Sequence, residues 1–121
     1  MLVRTSHPGN IGASARAMRT MGLQRMELVA PHSFPHSEAT ALAAGADMVL
    51  ENARLSDDLA TAINDCQFAI GATARRRGVQ LPEFDPRAAA AQVLDIARKG
   101  GEVALVFGNE RTGLSNDELQ L

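Results

Sequence analysis

The chain has 121 residues, 45% of them hydrophobic, and a net charge of −2, which suits one domain with enough apolar surface for a core. Four Phe and no Trp or Tyr exclude recognition by stacking bases on an aromatic platform, and the slightly acidic balance argues against coating nucleic acid through bulk charge while leaving room for a local basic patch. The lone Cys66 excludes an intrachain disulfide and fits a reducing compartment; no apolar run approaches membrane-spanning length and no basic-then-apolar leader opens the sequence, so a cytoplasmic location is expected.

Taken in order, Leu2–Arg4 reads as the end of a strand and Asn10–Met21 as a helix. Ile11, Ala15 and Met18 share one face of that helix, and Gly22 stops it. Met26–Ala30 is a short apolar strand, and Pro31–Pro35 is a loop. Ser37 caps a helix that runs to about Ala44, with Gly45 after it. Met48–Leu50 reads as a short strand. Ser56 caps a helix carrying Leu59, Ala62 and Ile63, and Cys66–Ala72 is a strand. After a loop over Arg75–Pro82, Asp85-Pro86 is a cap followed by a first-turn proline, which starts a helix to Lys99. Val103–Phe107 is the most apolar strand, and Ser115-Asn116-Asp117-Glu118 is a capping box that opens another helix.

Strands alternating with helices predict an α/β fold, a parallel sheet flanked by helices. The run Val103–Phe107 is apolar at every position, as in strands buried on both faces. Ligands of such sheets sit at the carboxyl ends of the strands. Three loops that follow strands are therefore expected on one edge: the one opening at Thr5, the one after Ala72 and the one after Phe107.

The first of these, Thr5-Ser6-His7-Pro8-Gly9-Asn10-Ile11-Gly12, calls for Gly9 in a turn after Pro8 and Gly12 at a close approach or tight packing point. The free N–H groups of the helix that follows would form an anion site. Asn10 can cap that helix or bind a ribose or base edge. Arg16 and Arg19, three apart, share a helical face. The competing reading is a tight turn with two solvated arginines.

Small residues at Ala72-Thr73-Ala74 leave room for a flat ligand such as adenine, or else meet a packing need. Arg75, Arg76 and Arg77 follow at once and can take RNA phosphates; the alternative is a solvated charge run. In the third loop Gly108 and Gly113 have P-loop spacing, but Leu114 stands where the phosphate-binding lysine belongs, so triphosphate hydrolysis is rejected. Glu110 remains as a carboxylate that accepts bonds from a ligand or fixes the loop backbone; the competing reading is an internal network with Arg111 that only shapes the turn. His32 and His36 have a metal-like spacing, but Pro35 interrupts it, and no metal is expected.

These residues match a known pattern. His7-Pro8-Gly9-Asn10-Ile11-Gly12-Ala13-Ser14-Ala15-Arg16-Ala17-Met18 resembles the first motif of the SpoU branch of the SPOUT methyltransferases, and Phe107-Gly108-Asn109-Glu110-Arg111-Thr112-Gly113-Leu114-Ser115 resembles its second. Between them, Phe34-Pro35-His36, Ala43-Ala44-Gly45-Ala46, Gly71-Ala72-Thr73-Ala74-Arg75 and Leu81-Pro82 with Asp85-Pro86-Arg87 resemble the subgroup that methylates the tRNA anticodon loop. The resemblance implies methyl transfer from S-adenosylmethionine to a ribose 2′-oxygen of tRNA or rRNA, without a metal, by a homodimer whose active site uses both subunits. By likeness Arg16 is the catalytic arginine and Asn10 the first-motif asparagine. Gly108 and Glu110 belong to the cofactor-side loop, Ala72, Thr73 and Ala74 line the cofactor, and Arg19, Arg75, Arg76 and Arg77 serve RNA binding. Serine is common in the subgroup where Thr73 stands.

The family carries a third motif after the second, which completes a trefoil knot. The expectation is therefore a single SPOUT-like domain over 1–121, truncated at its C-terminus, with the knot-forming segment absent and weak cofactor binding on its own. Leu114, Leu119 and Leu121 are expected to lack packing partners. The rival classes are a non-catalytic nucleotide- or RNA-binding α/β module and a purely structural α/β piece.

Overall fold

The computed structural model describes residues 1–74 and 80–121. Five parallel strands form one sheet: β1 (Leu2–Val3), β2 (Glu27–Val29), β3 (Arg54–Ser56), β4 (Phe68–Ala72) and β5 (Val103–Phe107), in the order β3-β2-β1-β5-β4. The two motif-bearing strands are therefore adjacent, with Leu2 opposite Phe107 in register, and β4 lies beside β5 along its whole length, Phe68 opposite Val103 through Ala72 opposite Phe107. Because all five strands run parallel, the three expected loops, each following a strand, leave from the same carboxyl edge.

Side chains alternate across this sheet. On one face Leu28, with Leu2 partly buried beside it, packs under α1 (Pro8–Thr20), α2 (Ser37–Ala43) and α3 (Asp47–Glu51) through Ile11, Ala15, Ala39, Ala43, Val49 and Leu50. α1 and α2 approach closely enough that a Cβ on Gly12 would sit 2.1 Å from the Ala39 carbonyl oxygen. On the other face Val3, Val29, Ala104 and Val106 pack with Leu59 and Ala62 of α4 (Leu59–Ile63) and with Leu114. The chain then ends in α6 (Asn116–Leu119), whose Leu119 is partly buried against the same core. Gly71 makes room for it: a Cβ there would meet Leu114 Cδ1 at 2.8 Å and Leu119 Cδ2 at 3.3 Å. Among the described residues no helix is long and apolar enough to cross a membrane.

Several expectations change. Met48–Leu50 is part of helix α3, not a strand, because Val49 and Leu50 turn into the helical core while β3 forms at Arg54–Ser56; a three-residue apolar run has no period of its own. Ser56 lies in β3 and its hydroxyl bonds Glu27, so the cap of α4 is Asp58, which accepts from the Thr61 N–H at 2.7 Å. Helix α2 is capped by His36, whose Nδ1 accepts from the Glu38 N–H at 3.1 Å, rather than by Ser37. Strand β5 is buried on one face only: Ala104 and Val106 are inside, whereas Leu105 and Phe107 are 40% and 48% exposed. The crossover helix α5 (Pro86–Arg98) belongs on that outer face by handedness, but it contains no fully buried residue and covers the face thinly. Leu114, expected to lack partners, is 2% exposed, since residues of β1, β2, β5 and α4 surround it; Leu121 is exposed as expected.

Candidate functional site

The first loop leaves β1 through Arg4, whose φ of +53° turns the chain sharply at the sheet edge. Helix α1 then begins at Pro8, the first-turn position that proline's fixed φ favours, with His7 as N-cap and no side-chain cap bond. Two expectations shift as a result. Gly9 lies inside the helix and serves packing, since a Cβ there would meet Leu42 Cδ1 at 2.8 Å and Glu38 Oε1 at 2.9 Å. Asn10 is in the first helical turn and is not the cap.

A carboxylate from within the chain sits just before α1, on the N–H groups of the two residues that precede the helix and on one side chain of its first turn, not on the helical N–H groups themselves. Glu110 accepts hydrogen bonds from the Ser6 N–H at 2.9 Å, the His7 N–H at 3.3 Å and Asn10 Nδ2 at 2.9 Å. Partial burial works against the charged carboxylate, but the bonds from Ser6, Asn10 and His7 outweigh it and hold the Glu110 pKa down at about 2. The Glu110–Arg111 network allowed by the sequence does not form. Glu110 reaches back to the first motif, and Arg111 is exposed with no side-chain bond among the described residues.

Asn109 ties the same two loops together a second way. Its Nδ2 donates to the Arg4 carbonyl and to Ser6 Oγ, both at 2.7 Å, while its Oδ1 accepts from the Arg111 N–H at 2.9 Å and the Thr112 N–H at 3.3 Å. The Gly113 N–H closes the turn on the Asn109 carbonyl at 2.8 Å. Gly108 is essential to that closure, because a Cβ there would lie 2.2 Å from the Gly113 carbonyl carbon and the Leu114 nitrogen. A third tie is ionic. Arg4 Nε and one terminal nitrogen each donate to Glu118 at 2.8 Å, and the latter also approaches the Gly113 carbonyl at 3.3 Å. Glu118 in turn closes the capping box with Ser115. The bond from Arg4, against the opposing effect of burial, holds the Glu118 carboxyl below the usual range.

Ala72, Thr73 and Ala74 are all exposed at the end of the edge strand β4, next to the β5 terminus. Arg16 is exposed and its side chain has no partner among the described residues. It stands six residues beyond Asn10 on α1, which is about 9 Å along the axis and about 120° around it. Within one chain it makes no bond to the Glu110 cluster. Arg19 donates to the Gly45 carbonyl and lines a cleft of about 400 Å³ with Leu23, Met48 and Val49, at the far end of α1. Arg75, Arg76 and Arg77 lie outside the described residues. His36 caps α2 through Nδ1, and among the described residues no group of three or more His, Cys, Asp or Glu could hold a metal ion.

Sequence reasoning did not find Arg4, Ser6, Asn109 and Glu118 as members of this site. Asn109 carried a signal, since Asx residues after strands bond their own backbone two residues on. The Arg4–Glu118 pair, 114 residues apart, carried none.

Comparison with known proteins agrees with this geometry. The chain is 51% identical over 120 residues to the tRNA (cytidine/uridine/adenosine-2′-O-)-methyltransferase TrmJ of Pseudomonas aeruginosa, an overlap of 99% of this chain and 47% of that protein. It is 49% identical to the tRNA (cytidine/uridine-2′-O-)-methyltransferase TrmJ of Pectobacterium atrosepticum, over 99% of this chain and 49% of that one. The fold superposes on TrmJ from Z. mobilis with a TM-score of 0.91 at 41% identity, covering 97% of this chain and 51% of that one. A probable methylase family protein from Haemophilus influenzae gives 0.89 at 47% identity, over 98% and 49%. The chain thus spans about half the length of the curated relatives it matches. The SpoU rRNA Methylase family model matches residues 1–121, and with both motifs locked together at one sheet edge, the chain belongs to that family.

Proposed function

We propose that this chain carries the cofactor-side and catalytic motifs of an RNA ribose 2′-O-methyltransferase that uses S-adenosylmethionine and acts on tRNA. One observation carries the reading: Glu110 of the second motif is bound by Ser6, His7 and Asn10 of the first, so the two motifs make a single rigid platform at the carboxyl edge. Its likeness to the TrmJ enzymes over nearly the whole chain supports the choice of RNA ribose as acceptor.

The residues at that edge fit the donor. Ala72, Thr73 and Ala74 are exposed and offer nothing bulkier than threonine, which leaves a flat face for a purine beside the tight Gly108–Gly113 turn. When bound there, S-adenosylmethionine supplies an electrophilic methyl group on a good leaving group. The chain's own contribution is positional and electrostatic. Glu110 is already satisfied by three donors, so it holds the loop and is a poor proton acceptor. A guanidinium surrenders a proton very reluctantly, so Arg16 acts as a fixed cation that holds an RNA phosphate and stabilises charge developing on the attacking oxygen.

The separation of Arg16 from the Glu110 platform supports a site completed across a homodimer, with the outer face of α1 from one copy meeting the platform of the other. Transfer of tritium from labelled S-adenosylmethionine to tRNA by the full-length protein, followed by nucleoside analysis, tests the reading. A 2′-O-methylated nucleoside is the expected product. Label on a base, or none on RNA, would overturn it.

A further inference from the structure

We infer that Arg111 is a phosphate-binding residue for the RNA substrate, presented on a rigid turn at the same edge. The inference rests on the functional reading above and adds a contact that neither motif likeness nor sequence pattern assigned.

Three observations carry it. First, the backbone that bears Arg111 is fixed on both sides: its own N–H is held by Asn109 Oδ1 at 2.9 Å, and the turn is closed by the Gly113 N–H on the Asn109 carbonyl at 2.8 Å. A guanidinium on such a turn loses less freedom on binding than one on a mobile loop. Second, the side chain is exposed and makes no bond or ion pair among the described residues. Third, among the described residues no carboxylate pairs with Arg111, and two of those in this part of the chain are engaged elsewhere. Glu110 is turned away onto Ser6, His7 and Asn10, and Glu118 is held by Nε and one terminal nitrogen of Arg4. The edge therefore presents an unpaired fork of donors whose sequence neighbour Glu110 is already committed to the first loop, with Asp117 as the exposed carboxylate left in α6. A planar guanidinium binds phosphate oxygens in pairs, and RNA is the polyanion that this edge is proposed to meet.

The competing occupant is the carboxylate of the methyl donor, and the experiment separates the two. Wild-type full-length protein and the variants Arg111→Gln and Arg111→Lys are titrated with tRNA across a range of salt concentrations, and separately with S-adenosylmethionine. Arg111→Gln should weaken tRNA binding about tenfold, as expected for one charge-assisted contact. It should also lower the slope of log affinity against log salt by about 0.7 to 0.9, one phosphate's share. Arg111→Lys should keep the slope while losing part of the affinity, and donor affinity should be unchanged in both. An unchanged salt slope in Arg111→Gln overturns the inference. So does a fall in donor affinity with tRNA binding intact, which would assign the residue to the cofactor carboxylate. Absence of tRNA binding by the wild type would instead overturn the functional reading, and this inference with it.

Discussion

A carboxylate held by three hydrogen-bond donors gives up its charge late, and Glu110 is such a group. Its pKa lies near 2 against an ordinary 4.5. A folded-state value below the unfolded one means that the ionised form stabilises the fold. That stabilisation is complete above about pH 4.5 and drains away as the pH falls toward 2. Glu110→Gln should therefore be less stable than wild type at neutral pH, and the gap in melting temperature should close between about pH 4.5 and pH 2. A constant gap across that range would mean that the charge is not what matters. At Arg16 the expected role is a planar, fixed cation. Arg16→Lys keeps the charge and loses the fork, so methyl transfer to tRNA should fall about 100-fold with little change in stability, because the side chain is exposed. Unchanged turnover would remove Arg16 from the mechanism.

Between elements, the tightest contact in the helical layer is Gly12 of α1 against Ala39 of α2. A methyl group at Gly12 would meet a backbone oxygen at 2.1 Å, and backbone cannot rotate out of the way as a side chain can. Gly12→Ala should cost about 1–3 kcal/mol in urea unfolding, although alanine is the better helix former. A neutral or stabilising result would show that the two helices can slide apart. The sequence left Gly12 open between ligand approach and packing, and the structure decides for packing, since Ala39 and not a ligand fills the space. Pro8 shows the reverse case. Proline favours the first helical position, and the helix begins there rather than at Asn10, so of the two roles the sequence left open for Asn10 the structure removes the cap.

For the whole molecule, the second core depends on a residue of the ligand loop. Leu114 follows the turn directly and is buried among Val3, Val29, Leu59, Ala62, Ala104 and Val106. Leu114→Ala should cost about 2–5 kcal/mol, measurable by chemical denaturation, whereas Leu121→Ala, at a side chain 63% exposed, should stay within about 0.5 kcal/mol. Similar losses from both would contradict this packing. The loop that carries Glu110 and Arg111 is thus anchored at its far end by the hydrophobic core and at its near end by β5.

The alternation of elements, the parallel sheet, the carboxyl-edge placement of the loops and the strand Val103–Phe107 could all be read from the chain, because each is set by local period, caps and turn residues. The capping box at Ser115 and the Asp85-Pro86 start were equally local and stand as read. What lies far apart in sequence was decided only by folding. Glu110 chose Ser6, His7 and Asn10 over Arg111, Arg4 found Glu118, and Leu114 found a core. Hydrogen bonds and ion pairs across about a hundred residues leave no periodic trace in a sequence. They exist because β1 and β5 are neighbours, and strand order is a property of the sheet as a whole.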